Sequence, residues 1–125
     1  MYFIGRLTHK EKYFCLRKAL AVVFPSHLRS EAFGLTLLEG AMFAKPLISC
    51  EIGTGTTYVN LHEETGLVCE PGNAEELANA MNRLLRDKKL AKRYGAAARA
   101  RFETNFTATN MTERYYKLYA KALNR

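Results

Sequence analysis

Ala21-Val-Val-Phe-Pro-Ser-His-Leu-Arg-Ser30-Glu-Ala-Phe-Gly-Leu-Thr-Leu-Leu-Glu-Gly40-Ala-Met-Phe-Ala-Lys-Pro-Leu-Ile-Ser-Cys50 contains three segments of different character. Ala21–Phe24 is an uninterrupted apolar run that stops at Pro25, the pattern of a strand covered on both faces in a parallel sheet. Leu35–Phe43 is apolar on almost every side, as expected of a helix buried within a domain. Pro46–Cys50 is a second apolar strand. Strand, helix and strand in this order argue for an α/β domain with a parallel sheet.

The flanking sequence extends that reading. Tyr2-Phe-Ile-Gly5 is predicted to be a short strand, and residues 11–20 an amphipathic helix with Phe14, Leu16, Ala19 and Leu20 inward. After Cys50 come a flexible Gly53-Thr-Gly55 loop, a helical turn over Thr57–Asn60, and a strand Gly66–Cys69 closed by Pro71-Gly72. Asn73 is placed to cap a helix over 73–87, with Glu75 and Glu76 in the first turn, where the helix dipole favours them. Leu77, Ala80, Met81, Leu84 and Leu85 give it an apolar stripe. Two more helices follow, 88–103 and 109–124. The expected fold is a Rossmann-like, doubly wound parallel sheet of roughly four strands flanked by helices.

A chain of 125 residues with 48 % hydrophobic and 25 % charged content reads as one ordinary globular domain. Nineteen basic against twelve acidic residues favour anionic partners without choosing among phosphates, nucleic acid and membrane surface. A solvated helical face is the better account of the basic stretch from Arg83 to Arg101, and packing of Tyr115, Tyr116 and Tyr119. No apolar run approaches the ~18 residues of a spanning helix, and no signal peptide opens the chain. Cys15, Cys50 and Cys69 are read as free thiols of a reducing compartment. The expected location is cytoplasmic, at the inner face of the membrane if peripheral. Asp87 is the sole aspartate, so a clustered-aspartate divalent-cation site is excluded. His9, His27 and His62 are too scattered for paired ligands on one helix, and no metal site is expected.

In parallel sheets ligands sit at the carboxyl ends of the strands. The loops expected there are Gly5-Arg6-Leu7, Ser26–Gly34 and Glu51–Thr57. Gly34 precedes the apolar helix, and the amides of Phe33, Gly34 and Leu35 at its positive end suit a phosphate. Glu39 follows about 7.5 Å further along the axis, where a diphosphate lying on the helix would bring ribose hydroxyls. No basic residue stands three or four positions from Glu39, so its partner is distant in sequence or is a ligand. Glu31 would face whatever hangs from the distal phosphate. The plainer alternative has Glu31 solvated, Glu39 paired with a distant arginine, and Gly34 as a simple turn. Gly53-Thr-Gly55-Thr56-Thr57 is expected to lend amides and hydroxyls to the phosphates, although it lacks the Lys-Ser/Thr of a P-loop.

The run Glu31-Ala-Phe-Gly-Leu-Thr-Leu-Leu-Glu39 resembles the E-x7-E motif of the retaining glycosyltransferases of family 4, which have the GT-B fold. The resemblance continues through Val23-Phe-Pro-Ser26, Lys45-Pro-Leu-Ile48, Gly66-Leu-Val-Cys-Glu-Pro-Gly72 and Phe102–Phe106, and covers essentially the whole chain. It implies that Glu39 holds the ribose of a nucleotide sugar, that Glu31 contacts the transferred sugar, that Phe33–Leu35 amides bind sugar and phosphate oxygens, and that Gly5, Arg6 and Leu7 border the nucleobase. It implies no metal or other cofactor. The acceptor would be a glycan or a lipid-linked glycan.

Measured against that family, residues 1–125 correspond to part of the second, carboxy-terminal domain. The first strand–helix units of that domain, with their diphosphate-neutralising Arg and Lys, and the amino-terminal acceptor domain have no counterpart. The chain alone is therefore expected to lack turnover, and its uncovered apolar surface to favour self-association. Ala44 stands where the family usually has a glycine, so a strained turn is expected. A non-catalytic nucleotide- or glycan-binding module is the alternative, and nucleic-acid binding is suggested by charge alone.

Overall fold

A computed structural model describes residues 1–124, in the order α1 (His9–Lys18), β1 (Val22–Phe24), α2 (Leu35–Met42), β2 (Leu47–Cys50), α3 (Thr56–Val59), β3 (Gly66–Cys69), α4 (Ala74–Arg86), α5 (Lys88–Asn105) and α6 (Ala108–Leu123). The strands pair in parallel in the order β1-β2-β3. Val22 lies opposite Leu47, Leu47 opposite Gly66, and Cys50 opposite Cys69. The expected α/β architecture, a parallel sheet flanked by helices, is the one found.

Alternation along each strand splits the core in two. Val22 and Leu47 meet Leu37 and Ala41 of α2 and Val59 of α3 on one face. Ile48, Leu67 and Cys69 meet Ala80 and Leu84 of α4 and Ala91 and Tyr94 of α5 on the other. α2 sits so low on the sheet that a Cβ at Gly40 would come within 2.8 Å of Val22 Cγ2 and 2.9 Å of Leu47 Cδ2. α5 joins the faces, since its Ala98 belongs to the α2 side. It passes the turn before β2 so closely that a Cβ at Gly95 would lie 2.2 Å from the Ala44 carbonyl oxygen. Ala44 itself has φ 54°, so the strained turn expected from its alanine is present. A left-handed conformation costs an L-residue about 1–2 kcal/mol.

Asn60 is a polar node that sequence reading missed. Its Nδ2 donates to Ser49 Oγ at 2.8 Å and to the Leu67 carbonyl at 3.1 Å, and its Oδ1 accepts from Thr65 Oγ1 at 3.0 Å. Asn60, Ser49 and Thr65 are wholly buried, and their mutual bonds offset the desolvation of each.

Several expectations need correction. Tyr2–Gly5 forms no strand, and Tyr2, Phe3 and Ile4 are 95, 92 and 66 % exposed. A strand is stable only through hydrogen bonds to a neighbour, and this segment has none, so the sheet has three strands rather than four. α1 has no buried residue; Phe14 and Leu20 face outward and Leu16 and Ala19 are half-buried. Of the positions expected inward, only Leu16 packs against the core of the described chain. Met81 and Leu85 sit on the exposed flank of α4. Asn73 caps α4 as expected, its side chain accepting from the Glu76 amide at 3.0 Å. The last two helices, expected over 88–103 and 109–124, run as α5 and α6 over slightly shifted bounds.

Cys69, only 3 % exposed, supplies a pH-dependent contribution to stability. Burial first, then the charge of Glu76 and of Cys50, pushes its thiol from 9.0 up to about 11. The folded state therefore holds this proton more tightly than the unfolded chain. The resulting stability is fully present below pH 9 and is lost as pH rises through about 11. The wild type should lose about 2–3 kcal/mol across that window relative to Cys69→Ala. Urea midpoints of both proteins at about pH 8 and about pH 11 check it; a wild-type-minus-variant difference that does not shrink would remove Cys69 as the cause.

Candidate functional site

The loop from β1 to α2 carries Glu31, and its carboxylate folds back onto its own backbone. Oε1 accepts from the Phe33 amide at 3.1 Å and from the Gly34 amide at 2.8 Å. Two of the three amides expected to be free for a phosphate are thus occupied by Glu31. The amides of Leu35 and Thr36 take no backbone partner among the described residues and lie at the exposed start of α2. Gly34, the N-cap, has φ 84°, a left-handed conformation that aims the Glu31 loop across the helix terminus. A side chain there would be strained by that φ and would press on Leu37 Cδ1 at 3.0 Å.

The loop after β2 supports this one. The Gly55 amide donates to the Ala32 carbonyl at 2.9 Å, and a Cβ at Gly55 would reach 2.8 Å from Phe33 Cδ2. Thr54 and Thr56 hydroxyls lie 3.4 Å apart, with Thr56 buried. Gly53–Thr57, expected to donate to phosphates, therefore buttresses the Glu31 loop through Gly55. Arg29 hangs beside Gly53, its Cζ 3.9 Å from where a Cβ would stand. It brings a cation to the junction of the two loops, a position that sequence reading did not single out.

Glu39 lies on α2 with its side chain one-third exposed, so its setting is less apolar than the sequence suggests. Leu35 at the helix start is 69 % exposed, and one side of α2 is open. The distant partner is Lys12 of α1, Nζ to Oε1 at 2.6 Å, where the plainer alternative foresaw an arginine. The hydrogen bond to Glu39 holds the Lys12 ammonium above its ordinary pKa. Thr8 fixes α1 through a capping box with Glu11 and so sets the direction from which Lys12 arrives. No spacing rule in the sequence links residues 12 and 39; only tertiary packing does. Tyr13 against Phe43, ring centroids 5.4 Å apart, and Lys45 Nζ donating to the Arg17 carbonyl at 2.9 Å hold α1 to the end of α2.

Gly5, Arg6 and Leu7 follow no strand. They form the approach to α1, with Gly5 at φ 69°, Arg6 exposed and Leu7 half-buried. Their connection to Glu39 runs along α1, since Leu7 precedes Lys12 by five residues. The structure thus brings Glu31, Phe33, Gly34 and Leu35 together at one helix terminus, with Glu39 on the same helix, while Gly5–Leu7 lead into α1, the helix that carries Lys12 to Glu39. A hollow of about 630 Å³ adjoins this terminus, walled by Phe33, Leu35, Leu38, Tyr58, Phe106 and Leu118. It is apolar and includes neither glutamate.

Residues 1–101 match the family described as glycosyl transferases, group 1. The chain is 50 % identical over 121 residues to O-antigen chain mannosyltransferase C of Escherichia coli, a match covering 97 % of this chain and 33 % of that protein. It is 50 % identical over 108 residues to D-rhamnosyltransferase WbpZ of Pseudomonas aeruginosa, covering 86 % of this chain and 28 % of that one. The chain therefore spans about a third of the length of the curated relatives it matches. Sucrose-phosphate synthase from Thermosynechococcus elongatus superimposes with a TM-score of 0.82 at 31 % identity, over 96 % of this chain and 30 % of that structure. HepE of Anabaena, solved in complex with UDP, shares the fold at a TM-score of 0.78 and 21 % identity, over 85 % of this chain and 29 % of its own.

Proposed function

The chain belongs to the group 1 glycosyl transferases, and from that premise we propose that it is the donor-binding part of a retaining, family 4 enzyme moving a hexose from a nucleotide sugar to a glycan or lipid-linked acceptor. The observation that carries this reading is the arrangement at the start of α2. Glu31 is bonded to the Phe33 and Gly34 amides, and Glu39 stands five residues beyond Gly34 on the same helix. Phosphate oxygens are drawn to the amides at the helix start and to the positive end of its dipole. Lys12 leaves Glu39 Oε2 without a hydrogen bond among the described residues, available to a ribose diol. HepE, which shares this fold, was solved in complex with UDP, and this supports a nucleotide as the ligand.

The chemistry follows from charge. When the sugar–phosphate bond breaks, negative charge grows on the departing diphosphate, and aligned amides and cations stabilise it there. Phe33, Gly34 and Leu35 supply the amides; Arg29, beside Gly53, and Lys12, paired with Glu39, are the cations assigned to the diphosphate. A phosphate that takes the Phe33 and Gly34 amides must displace Glu31, which would free that carboxylate to face the sugar. No metal enters this scheme. The neutralisation is assigned to amides, Arg29 and Lys12, since a single aspartate in the chain cannot supply a clustered-aspartate cation site.

Titration of the chain with nucleoside diphosphates, nucleotide sugars and single-stranded DNA tests the reading. Weak binding of the first two and none of the third is expected, with no sugar transfer by the chain alone, because donor and acceptor must be held together in a two-sided cleft. Binding of DNA in preference to nucleotides would instead establish the charge-driven alternative. In the two-domain enzyme, Glu39→Ala should weaken donor affinity by about 1.5–3 kcal/mol, the range for hydrogen bonds to charged groups. Calorimetry with the nucleoside diphosphate measures it, and an unchanged affinity would make the Glu39–Lys12 pair purely structural.

A further inference from the structure

Cys50 and Cys69 stand opposite each other at the carboxyl ends of β2 and β3. Register partners on neighbouring strands point to the same face, with strands about 4.8 Å apart. That spacing falls within the range of roughly 4.4–6.8 Å over which a disulfide joins two Cα atoms. Both thiols are free and buried, 5 % and 3 % exposed. Each nevertheless borders a small hollow. Cys50 shares one of about 160 Å³ with Pro25, His27, Glu70 and Leu77. Cys69 shares another of about 180 Å³ with His62, Glu76, Asn79 and Arg83. The remaining cysteine, Cys15, lies on exposed α1.

A buried cysteine ordinarily serves as a small apolar packing group. This pair differs in being two sulfurs in register, on one face, each next to space large enough for a molecule of the size of water. We propose that Cys50 and Cys69 form a paired-thiol modification site that a small peroxide-class oxidant closes into an intramolecular disulfide across β2 and β3. The site stands apart from the glutamates of α2 and does not depend on the nucleotide-sugar reading.

The reaction balances in two steps. The Cys50 sulfur attacks one peroxide oxygen, so an S–O bond forms as the O–O bond breaks; the departing hydroxide takes the thiol proton and leaves as water. The Cys69 sulfur then attacks the sulfenic sulfur; an S–S bond forms, the S–O bond breaks, and the hydroxyl leaves with the Cys69 proton as a second water. Two thiols are oxidised by two electrons in total, and one peroxide is reduced. Cys50 is assigned the first attack because it is the slightly more exposed of the two and lines the hollow it shares with Pro25 and His27. A bridge between adjacent strands is held in a geometry the sheet dictates, which makes it readily reducible.

The test exposes the folded protein to hydrogen peroxide, unfolds it in denaturant containing N-ethylmaleimide, and maps the peptides by mass. Two of the three alkylatable thiols should be lost, without dimers, and a Cys50–Cys69 linked peptide should appear that dithiothreitol releases. Cys15→Ser should retain the link and Cys50→Ser should lose it. The peptide map of the unsubstituted chain decides the matter even where a variant folds poorly. Three thiols still alkylatable, links through Cys15, or sulfinic acid on single cysteines without a link would each overturn the proposal. So would a Cys50–Cys69 link that forms only when oxidation follows unfolding.

Discussion

Gly66→Ala is expected to abolish the fold. A Cβ at Gly66 would lie 1.8 Å from the Leu47 carbonyl oxygen and 2.6 Å from its carbonyl carbon, inside the β2–β3 pairing itself. Those contacts are backbone, so no rotamer change relieves them, and β3 must leave its register to admit a methyl group. Losing that register dissolves the pairing that Asn60 bridges through Ser49 and Leu67. The cost exceeds a large part of the ~5–15 kcal/mol that stabilises a domain. Gly72→Ala is the matched control: its φ is 78°, but nothing lies within 4 Å of the added Cβ. It should cost only about 1 kcal/mol from the backbone conformation. Far-ultraviolet circular dichroism and urea titration compare the two. A cooperative transition in Gly66→Ala within 1 kcal/mol of the control would mean that the close approach is relieved at little cost.

Glu31→Ala in the two-domain enzyme should carry the largest functional effect, a fall in turnover of about 10²–10³-fold, the scale of removing one preorganised stabiliser of transition-state charge. Two consequences of the substitution act together. The Phe33 and Gly34 amides lose the acceptor that fixes the loop, and the carboxylate proposed to face the sugar disappears. Glu31→Gln separates them. A carboxamide oxygen can still accept from both amides, so the loop should keep its shape while the charge is gone. Turnover of the Gln variant should stay as low as that of Ala, with nucleotide affinity within a few-fold of wild type in both. Steady-state kcat beside calorimetric Kd measures the split. Full turnover in Glu31→Gln would make the residue a loop scaffold and assign the charge stabilisation to the amides and cations alone.

The two glutamates show how far sequence reaches toward a site. Spacing alone put Glu39 on the helix that Gly34 begins, because helical rise and N-terminal geometry are local properties. The identity of its partner was beyond local reasoning, since Lys12 arrives on a different element and twenty-seven positions away. The Glu31 loop teaches the opposite lesson. Short polar side chains two or three positions before free amides turn back on their own backbone, and Glu31 does the same here with its longer side chain. Treating them as free overlooked a nearby acceptor.

The sequence by itself determined the alternation of strands and helices, the parallel sheet, the Asn73 cap, the strained Ala44 turn and the resemblance that led to the family. The first three are written in short-range order, in apolar runs, helical period and turn chemistry; the Ala44 turn is what the resemblance implied. Tertiary structure alone decided that Tyr2–Gly5 stays out of the sheet, because a strand exists only where another edge accepts its hydrogen bonds. It also decided that Lys12 guards Glu39, that Gly55 braces the Glu31 loop through Ala32, that Asn60 ties β2 to β3, and that Cys50 faces Cys69. Each of these joins residues distant in the chain, and the register and packing that bring them together are set by the whole core rather than by any segment of it.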